Sequence, residues 1–348
     1  MWRVVISRLY ALLLAGCGKT PVSRRLVKKV QMQGGEEARS EAYLVVRCND
    51  ERRSQHRRWA FFSSLLCVFL SASADAGSVR DMLGREVSVN GPPKRMVSLA
   101  PSLTEIVYAV QAQDALAGVT TICDYPSEAV KKPKIGGMVN PSLEKILTLR
   151  PDLVLATTEG NREETVHQLG ALGIPTYVVS PRSFAEVLES IARIGELVGR
   201  EEAARRVVAS LRERRDRVAE AARGRPRPNV LYLVWAEPVI VPGRDTLITD
   251  LIRIAGGTSI SADEPIQWPR LSLEHVVAKA PEVIVAATTM AAHVEEALRR
   301  WREQKLILPA FGTGRVHMID GDLLHRPGPR IVDGLEALAR AIHPGAIP

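Results

Sequence analysis

The chain has 348 residues, 46% of them apolar and 25% charged, values that suit a soluble globular protein of about two domains. Its formal charge of +8 sits almost wholly in the first part: residues 1–76 hold 13 Lys+Arg against 6 Asp+Glu, and residues 77–348 hold 34 against 33. The body therefore has no basic surplus with which to neutralise phosphates, which excludes nucleic acid as a natural partner. Three of the four cysteines, Cys17, Cys48 and Cys67, lie in the leader. Cys123 alone remains in the body, so no internal disulfide or cysteine-based zinc site can be built there.

Residues 52–76 read RRSQHRRWAFFSSLLCVFLSASADA. Four arginines precede an apolar run from Trp59 to Ala72, and small residues offer cleavage after Ala74 or Ala76. The run is about 14 residues, short of the ~20 that span a bilayer. We expect a secretory signal at 52–76, a periplasmic product and no membrane-embedded segment. Upstream, Leu14-Ala15-Gly16-Cys17 is similar to a lipobox, and Gly16-Cys17-Gly18-Lys19-Thr20 to half a phosphate loop whose first glycine is replaced by Leu13. A lipobox there would leave a second export signal downstream. The expectation is that translation begins at Val45 or Val46 and that residues 1–51 are no part of the working protein.

In the body, Met96–Leu99, Leu153–Ala156 and Thr176–Val179 are short apolar strands, alternating with helical stretches. Ser102-Leu-Thr-Glu105 predicts a capping box after the first strand. Residues 142–156, SLEKILTLRPDLVLA, return at 272–286 as SLEHVVAKAPEVIVA, an offset of 130. Each copy predicts a serine-capped short helix, a proline break and a strand. Arg200–Arg223 has no proline or internal glycine and predicts one helix of about 24 residues, ~36 Å long. Val230–Val234, Val283–Ala286 and Val316–Ile319 supply strands for a second lobe. The fold class is α/β: two similar lobes with mainly parallel sheets flanked by helices, one backbone helix, and a ligand cleft between. The expected divisions are a leader at 1–76, a first lobe at 77–182, a helical linker at 183–227 and a second lobe at 228–348.

The motifs RMVSLAPSLTE at 95–105, CDYP at 123–126, NPSLEKILTLRPDLVLA at 140–156, QLGALGIP at 168–175, QWPRLSLEHVVAKAPEVIV at 267–285 and HRPGPRI at 325–331 carry a family resemblance. Over about Arg95–Ile342 the chain resembles the periplasmic cobalamin-binding proteins of vitamin B12 importers, within the wider class of siderophore, haem and B12 receptors. The resemblance implies that a corrinoid is captured between the lobes, unchanged and without a resident cofactor, and delivered by a monomer to an ABC permease dimer with its ATPase subunits. It also implies that Glu144 and Glu274, at equivalent repeat positions, meet arginines of that permease. Helix-dipole preference alone would also place glutamate there.

Ligands of open α/β sheets sit beyond the C-terminal ends of strands. That places Pro101, Ser102, Trp235, Asp322 and Arg326 as candidate ligand contacts; Trp268, just before the second repeat, joins Trp235 at positions that the resemblance implies for the pocket, and Tyr125 of CDYP is either a further contact or buried structure. The tryptophans would offer flat apolar faces, and Asp322 and Arg326 hydrogen bonds to amides on a corrin rim. Core packing for the tryptophans and a structural ion pair for Arg326 are the alternatives. Family members carry aromatics where this chain has Ile122, Gly136-Gly137-Met138 and Thr157. A ferric siderophore or haem is the alternative cargo, and haem would need an axial ligand such as His325. His167, His275, His293, His317 and His343 are scattered, which argues against a metal receptor. No HExxH, GxSxG or phosphate loop points to an enzyme, and nothing in the sequence joins Asp124 to His325 as an acid–base pair.

Overall fold

The computed structural model describes residues 77–346. The signal at 52–76, the lipobox at Cys17 and the translation start at Val45 or Val46 lie outside the described residues. An antiparallel hairpin, β1 (Gly77–Arg80) and β2 (Glu86–Val89), leads into the first lobe. The buried carboxylate of Asp81 closes its turn by accepting from the Leu83 and Arg85 backbone N–H groups and from the Arg85 guanidinium.

The first lobe runs β3 (Met96–Ser98), α1 (Pro101–Ala109), β4 (Leu116–Val119), α2 (Leu143–Thr148), β5 (Leu153–Thr157), α3 (Glu163–Ala171) and β6 (Thr176–Val179). Its parallel sheet has the order β4-β3-β5-β6. Two helices follow, α4 (Phe184–Leu197) and α5 (Glu201–Ala222). The second lobe then runs β7 (Asn229–Leu233), β8 (Trp235–Ala236), β9 (Val239–Ile240), α6 (Leu247–Ile254), β10 (Thr258–Ser259), β11 (Arg270–Leu271), α7 (Leu273–Ala278), β12 (Val283–Ala287), α8 (Ala291–Glu303), α9 (Pro309–Thr313), β13 (Val316–Ile319), α10 (Gly321–His325) and α11 (Ile331–Ile342). Its parallel sheet has the order β10-β7-β12-β13, and β11-β9-β8 form a small antiparallel sheet beside it.

The two parallel sheets have the same strand order, and the repeat explains why. β5 and β12, which end the two repeated segments, each lie third in their sheet. Before them, the Ser142 hydroxyl accepts from the Lys145 N–H at 3.3 Å and the Ser272 hydroxyl from the His275 N–H at 3.2 Å. Both caps satisfy helix donors that would otherwise be left open. Ile146 and Val276, both fully buried, pin the short helices to their sheets.

The capping box expected at Ser102–Glu105 does not form. The α1 N-cap is Ala100, with Pro101 at the start of the helix and no side-chain cap. Proline already lacks the N–H that a cap would satisfy there. Glu105 is drawn away into an ion pair with Arg330.

Helix α5 is the expected backbone helix, bounded by Arg200 and Arg223, with Gly224 beyond it at φ 72°. Its Ala203, Ala204, Leu211 and Val218 are buried in a hydrophobic core that reaches both lobes. That core takes Met96, Leu153 and Leu155 from the first sheet and Val230, Tyr232, Val283 and Val285 from the second. A separate cluster covers the opposite face of each sheet. Gly195 of α4 lets α5 approach closely, since a Cβ there would collide with Ala204. At the other side, the Arg214 guanidinium of α5 donates to Glu336 at 2.9 and 2.8 Å and to Asp333 at 2.6 Å, both on α11. Among the described residues no helix is long and apolar enough to cross a membrane.

Because Leu211 belongs to a core shared by both lobes, Leu211→Ala is expected to lower stability by about 2–5 kcal/mol. Urea unfolding followed by tryptophan fluorescence and far-UV circular dichroism should show one shifted transition. Two separated transitions in the wild type would show that the lobes unfold independently.

Candidate functional site

A cavity of about 210 Å³ lies between the lobes. Glu159, Pro181 and Arg182, just past the ends of β5 and β6, line it from the first lobe. Val234, Asp245–Ile248, Gln267, Trp268, Leu324, His325 and Pro327 line it from the second. The strand ends thus converge on the cleft, as open α/β sheets require. Trp268 is 43% exposed and offers an indole to whatever enters.

A second cavity of about 650 Å³ is lined by Glu105, Tyr108, Gln113, Tyr125, Lys132 and Arg330 among others. The segment formed by helix α10 and the loop after it contributes to both. Leu324, His325 and Pro327 face the smaller cavity, Pro329 and Arg330 the larger. Arg326, between them, is held by carboxylates: Asp124 at 2.6 Å, Asp322 at 2.8 Å and Glu105 at 3.6 Å. Arg330 forks onto Glu105 with hydrogen bonds of 3.0 and 2.7 Å, and its guanidinium lies 4.1 Å from the Tyr125 ring centroid. Glu105 and Asp124 come from the first lobe, so these ion pairs bridge the cleft.

The charges follow from the surroundings. Burial pushes the Glu105 carboxyl up, against the pull of Arg330 and Arg326. The hydrogen bond from Arg326 holds Asp124 below the usual carboxylate range. Glu159 is pushed up by burial, partly offset by Arg182. His325 is pushed down by burial, against the Asp322 charge, so the ring is neutral near pH 7. Its Nε2 shares a 2.7 Å hydrogen bond with the buried Tyr232 hydroxyl.

Of the residues singled out from sequence, Trp268 and His325 line the interlobe cavity. Tyr125 lines the larger one. Trp235 turns towards α8: its ring lies 4.3 Å from that of His293, and its Nε1 donates to the Glu237 carbonyl at 2.7 Å. Pro101 and Ser102 are buried at the lobe junction, where Gly328 comes so close that a Cβ on it would lie 3.2 Å from the Ser102 carbonyl oxygen. Asp322 is ion-paired to Arg326, which also meets Asp124 and Glu105 of the first lobe. Asp124 reaches Arg326 rather than pairing with His325. Among the described residues no three His, Cys, Asp or Glu side chains gather where they could hold a metal ion. Glu144 and Glu274 are exposed on the repeated helices.

Sequence reading missed Glu159, Arg182 and Asp245. It also missed Asn161, whose amide donates to the Leu99 and Met138 carbonyls at 3.0 and 2.9 Å and accepts from the Thr157 N–H at 2.8 Å. Asn161 thereby fixes the loop that carries Glu159. Asp245 holds a left-handed φ of 59° at the cavity wall, a conformation that aspartate tolerates better than most residues. The TTEGN stretch offered no motif to single out Glu159 or Asn161, and Arg182 and Asp245 lie in no motif either.

This bilobal architecture, with a cleft fed by both sets of strand ends, defines a ligand-capturing protein. The chain belongs to the periplasmic binding protein family, whose model matches residues 96–323. It is 33% identical over 274 residues to an uncharacterized ABC transporter substrate-binding lipoprotein, YvrC, of Bacillus subtilis, covering 77% of this chain and 85% of that one. It is 30% identical to the vitamin B12-binding protein of Photorhabdus laumondii, covering 74% and 90%. Among solved structures, the periplasmic vitamin B12-binding protein BtuF of Vibrio cholerae matches with a TM-score of 0.65 and 28% identity, covering 72% of this chain and 97% of that one. The periplasmic haem-binding protein RhuT of Roseiflexus matches with a TM-score of 0.63 and 28% identity, covering 73% and 99%.

Removing Arg330 would leave Glu105 buried beside a single, more distant cation. Arg330→Met is expected to cost about 3–5 kcal/mol at pH 8. A carboxylate whose folded pKa lies above its unfolded value of 4.5 takes up a proton more readily in the folded state. The penalty should therefore shrink as pH falls from 8 towards 5, which urea titrations at the two pH values read directly. An equal penalty at both would show that Glu105 carries no buried charge.

Proposed function

We propose that this protein is the substrate-binding component of an ABC importer and that it captures a corrinoid, vitamin B12 or a close relative. It holds the ligand non-covalently between its lobes, needs no resident cofactor, carries out no chemistry and acts as a monomer. Trp268 at the interlobe cavity carries the reading, because a flat, partly exposed indole at the meeting of both lobes suits a large, partly apolar disc. The vitamin B12-binding relatives supply the substrate class.

A corrin is larger than a 210 Å³ cavity. Loading therefore displaces the Asp124–Arg326 bridge, and the freed Arg326 donates to the amide rim with Asp322 beside it. Tyr125, Pro101 and Ser102 then add contacts from the first lobe. Trp235, stacked on His293, shapes the second-lobe wall. Haem is the second reading, supported by the RhuT likeness and by His325 in the cavity. It would require Tyr232 to surrender the His325 Nε2.

The loaded protein delivers its ligand to a permease dimer with ATPase subunits, with Glu144 on one lobe and Glu274 on the other meeting basic residues of the two permease subunits. Residues 52–76 export it to the periplasm, and N-terminal sequencing of the secreted chain should find the mature terminus between Ser73 and Gly77.

Tryptophan-fluorescence titration with cyanocobalamin, cobinamide, haemin and ferric siderophores tests the cargo. We expect corrinoids to bind and Trp268→Ala to weaken them roughly thirtyfold, as for a desolvated aromatic anchor costing about 2 kcal/mol. Asp124→Asn should tighten corrinoid binding by releasing Arg326. No corrinoid binding at micromolar concentration, with tight haemin or siderophore binding, would overturn the cargo and leave the importer class.

Glu144→Ala and Glu274→Ala should leave the same titration unchanged and each reduce uptake into proteoliposomes that carry the permease–ATPase complex. A tenfold loss of ligand affinity with full uptake would overturn the docking role.

A further inference from the structure

We infer that the outer face of each repeated helix is a two-part docking element, an acid beside an apolar anchor: Glu144 with Leu147 on α2, and Glu274 with Val277 on α7. This rests on the importer reading and extends it, because it assigns the partner a recess as well as a charge.

Leu147 is 42% exposed and Val277 37% exposed. A single exposed apolar side chain is ordinary and needs no explanation. These two differ from the rest in register. Of the exposed large apolar residues among those described, only Leu147 and Val277 are related by the repeat offset of 130, as are the two glutamates.

Each apolar residue lies three positions after its glutamate, so acid and anchor share one face of the helix. Ile146 and Val276, fully buried, fix the opposite face on the sheet. The outer faces are therefore held rigidly, and the β strands that follow both helices hold the same place in their sheets. Helix-dipole preference accounts for the glutamates but gives no reason for an exposed apolar residue at the same step in both lobes.

The partner this fits presents one site twice: a basic side chain next to a shallow apolar recess, related by a twofold axis. A permease dimer has that symmetry. The charge would steer the approach, and the anchor, once desolvated, would slow release. Leucine on one side and valine on the other call for a recess that tolerates one methylene more or less.

The test uses full-length protein and proteoliposomes containing the corrinoid permease–ATPase complex of the same cell, with association measured by surface binding and cyanocobalamin affinity measured separately. Leu147→Ser and Val277→Ser should each weaken association about five- to tenfold, mainly through faster dissociation, and the double variant by more than either. Cyanocobalamin affinity should stay within twofold. Leu172→Ser, at an exposed leucine outside the repeat, should change neither. Association of the double variant equal to wild type would overturn the anchor role, as would an equal loss from Leu172→Ser. Failure of the wild type itself to associate would overturn the importer reading and this one with it, whereas loss confined to the glutamate variants would leave docking standing without the anchors.

Discussion

A carboxylate placed where water cannot reach it constrains much of this molecule. Glu105 is almost fully buried at the lobe junction, and a charge there is tolerable only if it is met by cations held in good geometry. Arg330 meets it with a two-pronged contact and Arg326 stands at 3.6 Å. Both arginines come from the loop between α10 and α11, so the first lobe dictates where that loop runs. The loop in turn contributes Pro327 to one cavity and Pro329 and Arg330 to the other, and seats Gly328 against Ser102. One desolvated charge thus sets the position of a segment that faces both sides of the cleft.

The lobes are joined by more than this bridge. Helix α5 puts Ala203, Ala204, Leu211 and Val218 into a core to which both parallel sheets contribute. Arg214 fastens the same helix to α11 through two carboxylates. A shared apolar core resists shear, because close-packed side chains do not slide without opening voids. Of the pairs that join the lobes, the Asp124–Arg326 contact is the one most screened by solvent, with Asp124 largely exposed.

The cleft itself combines a flat apolar surface with several polar groups. Trp268 provides the surface. Burial pushes the Glu159 carboxyl up, partly offset by Arg182, and pushes the His325 ring down. From the first lobe the cleft is lined by the loop of Glu159, which Asn161 fixes.

By itself the sequence determined whatever depends on local pattern. The strands at 176–179 and 316–319, the backbone helix between Arg200 and Arg223, and the Ser142 and Ser272 caps could be read from it, because periodicity and capping chemistry act within a few residues. The repeat carried further, implying two sheets of one design. What tertiary structure decided is the use of each polar side chain. Ser102 and Glu105 have the spacing of a capping box, yet burial against the other lobe gave Glu105 to Arg330, about 225 residues away in sequence. Trp235 and Trp268 are the same residue type beside short second-lobe strands, yet one rests on His293 and the other opens to the cleft. Glu159, Arg182 and Asp245 carry no motif and became cavity walls only when strand ends from both lobes met. A local pattern fixes a backbone, but the partner of a buried charge or ring is chosen by desolvation, and desolvation depends on residues that the chain brings together only on folding.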